Sequence, residues 1–180
     1  DTRTAVNMST FTAGKTTLVI GEEQTTEVTN DQPNWTASYT YESDDTDVAT
    51  IDANGKITAV AKGTATITAT LNVADNDANY KAGETTSKTI DIEVTKPFHT
   101  VTFSINGDAS RTASVEEDQK ITFPTAADNP ADESEFAMVI NGMTFVGWYN
   151  SEYANSTTAP EYVNTASTNM STGDVTYYAV

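Results

Sequence analysis

The stretch from Val48 to Thr70, "VATIDANGKITAVAKGTATITAT", alternates apolar and polar residues almost strictly, with breaks at Asn54-Gly55 and Lys62-Gly63. Successive side chains of a strand point to opposite faces, so period two with one apolar side specifies a half-buried antiparallel strand. The same period recurs at Leu18 and Ile20, Tyr39 and Tyr41, Ile57 and Ala59, Ala65 through Leu71, and Ile90 through Val94. Turn-forming residues separate these runs: Ala13-Gly14, Gly21, Asn30 to Pro33, Ser43 to Asp45, Asn54-Gly55 and Lys62-Gly63. Short strands spaced this way build a sandwich or barrel. Asn54-Gly55 predicts a two-residue hairpin, because both residues tolerate positive φ. No segment carries a long apolar stripe at helical spacing.

Threonine, valine and isoleucine dominate over leucine, which favours pleated surfaces. Only 37% of the 180 residues are hydrophobic, a fraction suited to thin β modules rather than one large globule. At "TKPFHT" a proline falls between two strand-like runs, where its missing donor ends a strand. Before Pro97 lie 7 basic and 15 acidic residues (−8), and from it onward 2 basic and 11 acidic (−9). Five of the six phenylalanines also follow this point. These shifts divide the chain into domains at 1–96 and 97–180. The second again alternates at Val101, Phe103 and Ile105, followed by "RTASV" and "KITFP". An acidic stretch over 125–135 reads as a surface loop or single helical turn, and four or five strands are expected in all.

The formal charge of −17 repels polyanions, and no lysine or arginine patch reverses it locally, so neither nucleic acid nor an anionic lipid surface is an expected partner. There is no cysteine, hence no disulfide and no thiolate chemistry. No run approaches the roughly 20 apolar residues that span a bilayer. "DTRTAVNMST" has no charged-then-apolar leader pattern, so an export signal or anchor is expected to be removed or to lie outside these residues.

The segment from Ser43 to Ala69 closely resembles the group 2 bacterial Ig-like domain, in the order of Val48-Ala49, Ile51-Asp52, Asn54-Gly55, Ile57-Thr58-Ala59 and Gly63-Thr64-Ala65. "TTLVIGEEQTTEVT" is similar to that family's early strands and "NYKAGETTSKTIDIEVT" to its last, so the resemblance covers about 9–96. The remainder resembles a Listeria–Bacteroides repeat of the internalin B-repeat kind, through "HTVTFSINGDASRTASVEEDQKITFP", "TFVGWY" and "STGDVTYYAV". It departs from that pattern at Asp108, where a second glycine is usual, and is longer between Pro124 and Phe145. The resemblances imply an all-β chain, an Ig-like β-sandwich followed by a small β-grasp-like repeat domain. They also imply a modular, extracellular, bacterial cell-surface protein with adhesive roles and no catalysis.

Candidate chemistry is sparse. Asp75, Asp77 and Asn79 match the opening of a calcium loop, but Tyr80 and Thr86 stand where it needs glycine and a bidentate glutamate. Asp44 and Asp47 form a second acidic group at a strand start. A solvated, aspartate-rich turn is the simpler reading of both, with weak calcium binding as the alternative. No other cofactor is expected. A glycosidase needs two carboxylates fixed across a cleft, which modules this thin rarely form. His99 has no serine or cysteine near it, and a triad or zinc site is not expected.

Trp35, Tyr39 and Tyr41 share one parity and hence one face. That face is read as sandwich core, with a glycan-stacking platform as the alternative. Trp148 is expected to anchor a second core with Phe103, Phe123 and Phe145. Tyr149, Tyr153 and Tyr162 are the candidates for an exposed patch. "TIDIEVT" (89–95) is expected at a sheet edge, open to strand addition. The resulting expectation is a monomeric, non-enzymatic spacer or presentation scaffold. Its partners are the neighbouring modules of its parent protein and a host glycan or matrix protein. The rival is a carbohydrate-binding module.

Overall fold

The computed structural model describes residues 1–105, 109–124, 147–149 and 162–179. The chain divides into two units, Asp1–Lys96 and Pro97–Val180. All regular structure among the described residues is strand.

The first unit contains β1 (Thr4–Val6), β2 (Met8–Ala13), β3 (Thr17–Val19), β4 (Glu23–Asn30) and β5 (Ser38–Ser43). These are followed by β6 (Ala49–Ile51), β7 (Lys56–Ala59), β8 (Gly63–Asn72), β9 (Tyr80–Ala82) and β10 (Ser87–Thr95). One four-stranded sheet has the order β3-β10-β8-β5 and the other β2-β4-β7-β6, with β1 and β9 forming a separate parallel pair. The two sheets enclose one core. β8 supplies Ala65, Ile67, Ala69 and Leu71 and β10 supplies Ile92 and Val94, facing Phe11, Ala49, Ile57 and Ala59 of the other sheet. The intervening Thr64, Thr66, Thr68 and Thr70 of β8 point the other way, as period two requires. Burying one such isoleucine contributes roughly 1.5–3 kcal/mol.

The turn at Asn54-Gly55 differs from the two-residue hairpin its sequence predicts. Asp52 N–H donates to the Lys56 carbonyl oxygen at 3.0 Å, leaving Ala53, Asn54 and Gly55 as a three-residue loop. A two-residue type I′ turn needs positive φ at both central residues, but here only Gly55 has it, at 78°. The Asp52 carboxylate fills the loop, accepting N–H from Asn54 at 2.8 Å and Lys56 at 2.9 Å.

"TIDIEVT" is also placed differently. It lies in β10, which pairs with β8 over Ser87–Val94 and, over Glu93–Thr95, with β3 on its other side. The short β3 sits outside it there and takes the edge from Glu93–Thr95, whereas Thr89–Ile92 have a strand partner on the β8 side alone.

The second unit contains β11 (Phe98–Ile105), β12 (Ala109–Glu116), β13 (Trp148–Tyr149) and β14 (Val175–Ala179), in the order β12-β11-β14-β13. β11 and β14 run parallel at its centre, and the outer strands pair antiparallel. Its core holds Val101, Phe103, Ile121, Phe123, Trp148, Met170 and Tyr177. Phe103 meets Trp148 and Phe123 edge-on, with ring centroids 5.3 and 5.6 Å apart, a favoured aromatic geometry. Trp148 Nε1–H donates to the Pro124 carbonyl oxygen at 3.2 Å. Phe145, expected in this cluster, lies outside the described residues.

Candidate functional site

The loop between β8 and β9 brings the first calcium candidates to the N-terminal segment. Asp77 Oδ1 accepts the backbone N–H groups of Asn79 and Tyr80, both at 2.9 Å, which folds the loop around its own carboxylate. These bonds hold the Asp77 carboxyl below its ordinary range, with smaller contributions from a Trp35 side-chain hydrogen bond and the Arg3 charge. Arg3 Nη1 donates to the Asp75 carbonyl oxygen at 2.9 Å, while its Nε and Nη2 grip the Asp1 carboxylate. A cation therefore already sits against this loop, and it is a guanidinium.

Asp44 does a different job. Its Oδ1 accepts Thr66 N–H at 2.7 Å, extending the pairing of β5 with β8. Asp47 donates its N–H to the neighbouring Asp45 carboxylate at 3.1 Å. The two acidic groups are not brought together with a third ligand. Among the described residues, no three histidine, aspartate or glutamate side chains converge on a point.

Trp35, Tyr39 and Tyr41 all pack, half-buried, against the first core. Trp35 is held by a turn in which its N–H donates to Gln32 O, and its ring meets Tyr80 at 5.6 Å. Tyr39 accepts Asn30 Nδ2–H at 3.1 Å, and Tyr41 meets Phe11 at 6.1 Å. Burial raises the Tyr41 hydroxyl above its ordinary range, ahead of the nearby Tyr39. The contact of Tyr80 with Trp35 and that of Arg3 with Asp75 carried no signal in the sequence, since each joins residues more than 40 positions apart.

Tyr149 was expected in an exposed patch and is instead only 4% exposed. Its ring lies 4.6 Å from that of Tyr162, which remains 53% exposed. Tyr149 alternates with the core residue Trp148 along β13, and the Tyr162 ring packs against it. Tyr153 lies outside the described residues. His99 Nε2 sits 3.6 Å from Glu117 Oε2 and has no hydrogen-bond partner.

A search of curated protein sequences found no match. Among solved structures, the S-layer protein SbsC domains 4 and 5 are similar over 49% of this chain and 53% of that one, at 17% identity and TM-score 0.34. An intimin mutant of EHEC O157:H7 is similar over 55% of this chain and 50% of that one, also at 17% identity and TM-score 0.34. The chain thus spans about half the length of each. Residues 5–83 match the family described as Bacterial Ig-like domain (group 2).

Proposed function

We propose that this chain is a non-catalytic, modular section of a bacterial cell-surface protein, serving as a spacer and presentation scaffold with a share in adhesion. The family match over 5–83 carries the reading. Its physical support is that the inward side chains of the sandwich are spent on an aliphatic core, and the charged ones at its loops on capping turns. Asp31, Asp52 and Asp77 each accept backbone N–H groups, so they fix loop shape rather than face a substrate. The second unit is read as the Listeria–Bacteroides repeat, β-grasp-like because its first and last strands pair in parallel at the centre of the sheet. The charge of −17 keeps such a module soluble and monomeric.

A second reading, glycan recognition, rests on one observation: Trp35 is half-exposed beside Tyr80 at a loop end of the sandwich. Binding of the full chain to arrayed glycans and matrix proteins, with Trp35→Ala and Tyr153→Ala beside it, separates the two. A specific signal lost in one variant makes the chain a recognition module, and silence from folded protein leaves the scaffold. Protease shaving of intact cells tests location. Survival of the chain until lysis overturns the surface reading.

A further inference from the structure

We infer that both units are built to carry tension along the chain, each through a pair of parallel strands loaded in shear. This deepens the spacer reading and rests on it. Two neighbouring strands pulled lengthwise in opposite directions strain all their ladder bonds together, whereas strands pulled apart at one end lose them one at a time. Which case applies depends on where the chain enters and leaves the pair.

In the second unit the chain enters at β11 and leaves by β14. These strands are neighbours and parallel, in register from Val101↔Val175 to Ile105↔Ala179. The start of one and the finish of the other therefore lie at opposite ends of the ladder, which is the shear arrangement. Thr100 N–H adds a bond to Asp174 Oδ1 at 2.7 Å, just before the ladder begins. The flanking side chains of Val101, Phe103 and Tyr177 are buried, so water is kept from that side of the bonds.

The first unit repeats the relationship in a different fold. β10, by which the chain leaves, lies parallel to β3, with Thr17↔Glu93, Leu18↔Val94 and Val19↔Thr95. Glu93 N–H donates to Thr16 O at 2.8 Å and Ile20 N–H to Thr95 O at 3.0 Å. Leu18 and Val94 are both 1% exposed. Upstream, β1 is held parallel to β9, with Thr4 N–H on Asn79 O and Gly83 N–H on Val6 O, both at 2.8 Å. A last strand paired in parallel with an earlier one is thus shared by two sheets of unrelated order.

The test is single-molecule pulling of the full chain. Because it has no cysteine, handles attach uniquely at introduced pairs. Asp1→Cys with Val180→Cys loads both units lengthwise. Ser38→Cys with Asn72→Cys opens β5 from β8 at the end where those residues face each other, away from β3 and β10. Phe98→Cys with Glu116→Cys opens β11 from β12 where those residues face each other. Lengthwise pulling should give two events, each releasing about 300 Å of chain. Each should need at least about twofold the force of the matching one-ended pull at the same loading rate, since forced unfolding follows the unfolding rate.

Ile20→Pro removes the donor to Thr95 O. It should lower the lengthwise force of the first unit while sparing its one-ended force and the second unit's event. Equal forces in the two geometries, or an Ile20→Pro effect shared by both, overturns the clamp. Weak units in a surface-exposed protein overturn the clamp alone, and strong units in a protein that shaving places inside the cell overturn the surface reading alone.

Discussion

Thr26 donates both its hydroxyl and its backbone N–H to the carbonyl oxygen of Gly55, each at 2.9 Å. It is the one buried polar residue among those described, and it fastens the β6–β7 loop to the middle of β4. Tyr41 closes the site from the opposite sheet. A Cβ on Gly55 would stand 2.6 Å from Thr26 Oγ1 and 3.1 Å from the Tyr41 ring. The Asn-Gly pair is therefore more than a turn signal, because its glycine is a packing contact between the sheets.

Gly55→Ala should cost about 2 kcal/mol or more, from both the φ of 78° and the clash. Thr26→Val keeps the backbone donor and loses only the hydroxyl, and should cost about 1 kcal/mol. Urea midpoints of the first unit's transition measure both. An alanine variant as stable as the parent would remove the packing argument.

Ile67 lies at the centre of β8 with 0% exposure, flanked by Ala65 and Ala69. The flanking alanines offer no side chain long enough to swing into a vacated space. Ile67→Ala should therefore sit in the upper part of the roughly 2–5 kcal/mol range for such truncations. Ile90, on the same face of neighbouring β10 but only partly buried, should lose less on the same change. The ordering of the two denaturation midpoints decides it.

How much of this was legible follows the regularity of the strands. From Ile57 to Thr70 the period-two pattern gives the inward residues correctly, because β7 and β8 pair without interruption, but at β6 the fully buried residue is Ala49, with the larger Val48 and Ile51 only partly buried. The pattern is silent at the start of the chain, where Val6, Met8 and Phe11 are all buried. The register of β2 on β4 shifts between Met8 and Thr10, so Ser9 is extra and the inward parity changes from even to odd. A bulge erases the alternation that would reveal it. The place of β10 inside its sheet was hidden for another reason: its partner β3 is more than 70 residues away and three residues long. The loop-end contacts of Trp35 with Tyr80 and of Arg3 with Asp75 are equally non-local.

Four carboxylates set an acid limit on stability. Glu22 is held low by Val19 N–H and then Lys15, Asp31 by Asn7, Asp52 by Lys56 N–H, and Asp77 by Asn79 and Tyr80 N–H. Their folded pKa values lie below their unfolded ones, so each contributes stability above the unfolded value, lost as pH falls through the folded value. From these groups the melting temperature should be level between pH 7 and 5 and should fall below about pH 4. Asp52→Asn should lower it at pH 7 and shrink the difference from the parent at pH 3. Because the leading cause is hydrogen bonding to backbone, 1 M salt should leave the Asp52 effect in place. A variant curve parallel to the parent's at every pH would dismiss the assignment.

Asn7 couples three segments. Its N–H and Nδ2–H both bind the Asp31 carboxylate at 2.9 Å, while its Oδ1 accepts Thr85 N–H at 3.0 Å. Gly83 must stay bare for this, since a Cβ there would press on Asn7 Oδ1 and come within 2.8 Å of Val6 O. Gly83→Ala should therefore destabilise by about 2 kcal/mol. Asn7→Ala alone removes the bridge and should cost a comparable amount, because Thr85 N–H loses its acceptor and Asp31 Oδ2 its side-chain donor, while the backbone N–H of residue 7 stays on Asp31 Oδ1. The two changes are not independent: once Asn7 is truncated, most of the Gly83→Ala clash has nothing to press against. The double variant should be more stable than the sum predicts by about 1 kcal/mol, with the Val6 carbonyl leaving some of the cost in place. Additive losses in the double-mutant cycle would mean that Gly83 is kept for its contact with the β1 backbone and not for Asn7.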